Sequence, residues 1–159
     1  MSFRRRSASR CLPALLALVL VNSFAVAPVA RWCTLVPWSL LFAMRPPLWA
    51  VQRYLVGDDP VLAREVQDAV SSVAPRVLAG RISQLLTLPP DTRTRVSVPL
   101  LCLQGTQDRI VTRDLVRPHV AAPHAERREL RGPHLLLQAN PKEAWAAICE
   151  FARAAGLVA

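Results

Sequence analysis

An aspartate and a histidine in the last third of the chain carry the chemistry that this sequence offers. Asp108 follows the apolar run Val98-Pro99-Leu100-Leu101-Cys102-Leu103-Gln104-Gly105 after Thr106-Gln107, and His134 follows Gly132-Pro133 after a second strand-like segment. A carboxylate that fixes the tautomer of an imidazole makes it a base able to take the proton of a serine hydroxyl. Acid before histidine is one of the chain orders in which the Ser, Asp and His of such a relay occur. Each residue alone also fits a structural role, Asp108 in the turn after Gly105 and His134 at the start of a helix. Together they predict a pair in loops at the C-terminal edge of a parallel sheet, where open α/β sheets place their sites. No Gly-x-Ser-x-Gly elbow occurs in the chain, so no nucleophile is identified. Ser2, Ser7 and Ser9 have no flanking glycines for the tight strand-to-helix turn, and Arg4, Arg5 and Arg6 crowd them.

The elements that must hold this pair read as an alternation. Ala14 to Val21 is continuously apolar and predicts a strand buried on both faces of a parallel sheet, ended by Asn22-Ser23. Pro37–Met44, Pro47–Val56, Pro60–Val73 and Pro75–Leu88 are helix-length segments opened by proline, which suits the first helical turn. Asp59 before Pro60 is the clearest N-cap among them. Pro89-Pro90-Asp91-Thr92 marks a linker, and strand character resumes over Val96–Leu103. A helix from Thr112 through about Ala121 and a short strand over Ala125–Leu130 follow. Pro141 opens a final amphipathic helix with Ala144, Trp145, Ile148, Phe151 and Ala152 on one face, stopped by Gly156. Strand, helical block, strand, helix, strand, helix is the order of an α/β protein with a parallel sheet.

The N-terminus supports a second reading. A basic stretch with Arg4, Arg5, Arg6 and Arg10, an apolar run over 12–21 and small residues near Ala25 to Ala30 have the profile of an export signal. Pro13, Pro28 and the absence of a disulfide framework weigh against it, and a membrane span would have to cross Asn22 and Pro28. The strand reading is preferred because the C-terminal half supplies strands of the same sheet.

Composition narrows the classes further. The 159 residues carry a formal charge of +9, almost wholly from arginine, since Lys142 is the single lysine. The arginines beyond the first ten residues are scattered singly or in pairs such as Arg127-Arg128, with no basic stripe interleaved with aromatics. Nucleic acid is therefore not an expected partner. Cys11, Cys33, Cys102 and Cys149 have neither metal-knuckle spacing nor the density of a secreted disulfide scaffold. They read as small buried hydrophobes in a reducing compartment, Cys102 best of all. Three histidines without companions at ligand spacing give no metal site, and no cofactor is implied.

The strand and loop Pro99–Asp108 with its Gly105-x-x-Asp108, the Gly132-Pro133-His134 turn, the Asn140-Pro141 helix start and the strand Ala17-Leu18-Val19-Leu20-Val21-Asn22 resemble the C-terminal half of an α/β-hydrolase, the esterase and lipase superfamily. The likeness runs over nearly the whole chain and implies a partial α/β-hydrolase fold, a parallel sheet remnant with an inserted helical cap. It divides the sequence into 1–31, a helix tail and core strand; 32–90, the cap; and 91–159, the core with the acid and histidine loops. It implies Asp108 as the relay acid and His134 as the base. By that likeness the cap, with Trp32, Trp38, Phe42 and Trp49, becomes a lid over a pocket for an apolar acyl substrate, although packing between helices is the preferred account of those aromatics.

The strands and oxyanion loop that precede the nucleophile in that superfamily have no counterpart here. The expectation is thus a truncated or inactive form of an enzyme that cleaves carboxylic esters or related acyl bonds. Its partners would be a small ester or acyl substrate and a complementing N-terminal half, and its location cytoplasmic. The alternatives are a non-catalytic interaction protein, or an exported or membrane-anchored protein held through residues 12–30.

Overall fold

The computed structural model describes residues 15–24, 31–87, 94–111, 120–121 and 124–158. The basic leader, the small-residue stretch over 25–30 and the Pro89-Pro90 linker, on which the export reading and one domain boundary rest, lie outside these. Strand β1 (Leu18–Val21) leads through a 3₁₀ turn (Arg31–Leu35) to α1 (Trp38–Ala43) and α2 (Leu48–Val51), which runs on as a π-helical segment (Gln52–Val56). The helices α3 (Pro60–Ser72) and α4 (Pro75–Leu86) complete the helical block. Then come β2 (Thr94–Arg95), β3 (Leu100–Gly105), β4 (Val120–Ala121), β5 (Ala125–Leu130), α5 (Leu136–Ala139) and α6 (Pro141–Ala154).

The sheet that positions the site has the order β1-β3-β5, with β3 parallel to both neighbours. Leu18 pairs with Leu100, and Gly105 pairs with Leu130, so β3 and β5 finish at the same level. Strand β3 is nearly continuous in burial, as a central parallel strand must be. Leu101 and Leu103 point into a core with Leu136, Ala147 and Phe151, and Val19, Val21, Leu130 and Ile148 pack around it. Strand β1 is shorter than the expected Ala14 to Val21 and only half-buried, because β3 is its one strand partner among the described residues.

Two other expectations change. Val96 is not in a strand: the short β2, which pairs with β4, ends at Arg95, and β3 starts only after Pro99, which has no N–H to give to a ladder. The pairing of Val120 and Ala121 with β2 also means that no helix runs through Ala121, while residues 112–119 lie outside the described ones.

The helix starts follow from local chemistry. Asp59 Oδ1 accepts from the amides of Val61 and Leu62 at 2.9 and 3.0 Å, capping α3 behind Pro60. On α6 the buried stripe is Ala144, Ala147 and Phe151, whereas Trp145 is 66% exposed. A step of one residue turns the helix by about 100°, so Trp145 leaves the face that Ala144 occupies. Gly156, at φ +68°, ends the helix. Cys102 is half-buried rather than enclosed, while among the described cysteines Cys33 is the buried one.

A second small core, of Val51, Val56 and Ala63, holds α2, the π segment and α3 together. Leu135, from the histidine loop, packs against it. No helix among the described residues is long and apolar enough to cross a membrane.

Candidate active site

The two loops that leave β3 and β5 are stitched to each other before either side chain is considered. The amide of Thr106 donates to the Leu130 carbonyl and that of Gln107 to the Gly132 carbonyl, both at 2.9 Å. This close approach is possible because Gly105 has no Cβ. One placed there would stand 2.6 Å from the Gly132 carbonyl oxygen and 2.8 Å from that of Pro133.

The result brings the side chains of the two loops together. His134 Nδ1 lies 2.9 Å from Asp108 Oδ2. Asp108 Oδ1 accepts from the amides of Ile110 and Val111 at 2.8 and 2.9 Å, so both carboxylate oxygens are occupied. The carboxylate is fully buried, and the imidazole is one-fifth exposed. An ionised carboxylate only accepts, so this contact suits a proton on Nδ1, which in the neutral imidazole leaves the lone pair on Nε2. A base in that state can take a proton from an approaching hydroxyl.

Sequence reasoning singled out Asp108 and His134 but treated Asn22 only as the end of a strand. The structure places the Asn22 side chain, 5% exposed, between both loops. Its Oδ1 accepts from the Gly105 amide at 2.6 Å, and its Nδ2 donates to the carbonyls of Pro133 and His134 at 2.9 and 2.7 Å. The available signal was an amide residue directly after an apolar strand of the sheet whose other two strands lead into the acid and histidine loops.

Of the four cap aromatics, Trp49 borders a cleft of about 610 Å³ that also has Arg53, Asp58, Asp108, Arg109 and Pro133 in its walls. Trp38 and Phe42 line no part of it. They stack on each other with ring centroids 5.9 Å apart, and Trp38 Nε1 donates to the Cys33 carbonyl. That is helix packing. The side chain of Trp32 lies outside the described residues.

No protein-family model and no curated relative matches the sequence. Solved structures do match the fold. The chain is similar to a thermophilic esterase from Thermogutta terrifontis in its malate-bound form (TM-score 0.69, 18% identity, 87% of this chain and 56% of that one). It is also similar to a second thermophilic esterase (TM-score 0.63, 22% identity, 89% and 57%). A hydrolase from Pseudomonas aeruginosa matches as well (TM-score 0.64, 16% identity, 86% and 55%). The chain spans little more than half the length of these structures. Its parallel sheet and helices are a partial α/β-hydrolase fold.

Proposed function

We propose that this chain supplies the acid and base of a Ser-Asp-His relay for the hydrolysis of carboxylic esters or related acyl bonds. The carrying observation is the 2.9 Å contact between His134 Nδ1 and a buried Asp108 carboxylate whose other oxygen is already satisfied by two amides. In this reading Asp108 holds the imidazole in the Nδ1–H tautomer and stabilises the imidazolium that forms. His134 Nε2 takes the proton of a serine hydroxyl as its oxygen attacks the acyl carbon, and returns it to the leaving alkoxide as the ester C–O bond breaks. A water attacking the acyl-serine repeats the sequence and frees the acid.

The serine of the relay lies outside these 159 residues, in which no nucleophile elbow occurs. Trp49, Arg53 and Gly57 place the cap beside the acid loop, which suits a lid over the reacting groups. A non-catalytic interaction role is the second reading. It is favoured by the exposure of large apolar side chains on the helical block, Leu35, Leu40 and Trp49 foremost.

The test compares recombinant chain with tagged chain recovered from its own cells, using p-nitrophenyl acetate turnover and fluorophosphonate labelling of serine. The relay reading expects turnover and a labelled serine in the recovered material only, with turnover reduced roughly 10⁴-fold or more by His134→Ala and by Asp108→Asn. Recovered material whose activity is indifferent to both substitutions would overturn it in favour of the interaction role.

A further inference from the structure

We propose that Asn22 is a positioning residue for the Asp108–His134 pair, its buried amide setting the histidine turn against the acid turn and thereby the tautomer that His134 presents. The inference deepens the relay reading and rests on it for its functional meaning, but its test reads the imidazole directly.

Three observations converge on this residue. Its backbone sits at φ +44°, in the left-handed region, which asparagine tolerates better than most residues and which a strand end does not require. Its own amide still donates to the Leu103 carbonyl at 2.9 Å, so β1 stays in register with β3 while the side chain turns toward the loops. Both Nδ2 hydrogens and the Oδ1 oxygen are then used at once, on partners from two loops far along the chain. One of those partners is the carbonyl of His134 itself. Another is the amide of Gly105, whose carbonyl accepts from the amide of Asp108. The side chain thus spans from the residue that bears the base to the turn that bears the acid.

No other side chain reproduces these bonds. An aspartate would put acceptor oxygens against two carbonyl oxygens, and a leucine of similar size would leave one amide and two carbonyls buried without partners. A residue that only tidied a strand end would satisfy the neighbouring backbone. Asn22 reaches instead to the main chain on which the imidazole hangs.

The test uses Asn22→Gly, which keeps the positive φ available and removes the amide. With ¹⁵N-labelled histidine, His134 is assigned through His134→Gln and its ring nitrogens are read at pH 8.5, above the ordinary imidazole range. The parent should show the Nδ1–H tautomer. Asn22→Gly should remain folded yet shift toward the Nε2–H form that free histidine prefers, as Asp108→Asn should. A folded Asn22→Gly with the parent's tautomer would overturn the proposal and leave Asn22 a purely structural residue.

Should Asn22→Gly not fold, the parent itself decides. Through-hydrogen-bond couplings from Asn22 Nδ2 to the Pro133 and His134 carbonyl carbons are expected, and their absence overturns the proposal. Loss of ester hydrolysis alone moves neither readout. A failed relay reading and a failed role for Asn22 are therefore distinguishable.

Discussion

The amide of Leu135 donates to the carbonyl of Leu55 at 2.8 Å, joining the residue beside His134 to the π-helical segment of the helical block. Packing supports the bond, since Leu135 lies against the small core of Val51, Val56 and Ala63. A π turn frees a carbonyl from the regular i to i−4 ladder, and such segments recur at functional sites. Here the carbonyl holds the histidine loop, one residue from His134.

Gly57 closes that segment at φ +72° and ψ −143°, a combination that glycine adopts and other residues rarely do. A Cβ there would meet Pro133 only at ordinary contact distance, 3.6 Å, so the penalty of a substitution is in the backbone. Gly57→Ala should destabilise the chain by about 1–3 kcal/mol in urea unfolding. Hydrogen exchange at the Leu135 amide should quicken by more than it does at the amides of β3.

The two aromatic residues of α6 make a matched pair. Phe151 is 4% exposed and belongs to the main core, whereas Trp145 faces outward. Phe151→Ala should cost about 3–5 kcal/mol, and Trp145→Ala should stay within about 0.5 kcal/mol. Equal effects in thermal unfolding would contradict the placement of the helix face.

Burial pushes the Cys102 thiol above its ordinary value of 9.0, opposed by the Arg127 guanidinium of its register partner on β5. With the folded value raised, the native state keeps its proton where the unfolded chain has begun to lose it. The thiol therefore contributes no pH dependence well below 9, and stability falls as pH climbs above it. Urea midpoints at pH 8 and pH 10 should differ less in Cys102→Ala than in the parent.

Much of this architecture could be read along the chain because its signals are local. Asp59-Pro60 caps and opens α3, Pro141 opens α6, and the apolar run after Pro99 forms the central strand. The acid and histidine loops followed from strand ends whose side chains could do nothing bland together. What stayed hidden depends on contacts across the fold. Asn22 takes its meaning from Gly105, Pro133 and His134. The separation of Trp49 from Trp38 and Phe42 follows from how α1 and α2 pack, not from composition. Trp145 was assigned to the buried stripe because an apolar type next to Ala144 reads as inward-facing until the helical phase is fixed by the sheet beneath it.

The level finish of β3 and β5, with Gly105 beside Leu130, works as a ruler. The side chains of Asp108 and His134 are both measured off from one line across the sheet, and each residue of strand is worth about 3.3 Å. An extra residue within either strand would carry one loop past the other by more than the 2.9 Å that separates Nδ1 from Oδ2. It would also turn Gln104, or its counterpart, onto the wrong face. Length can therefore drift in the helical block, where a longer loop adds little entropy, but not between Leu100 and Asp108 or between Ala125 and His134. In this protein the spacing of the chemistry is inherited from strand register, and indels in those two stretches should be the least tolerated changes in the chain.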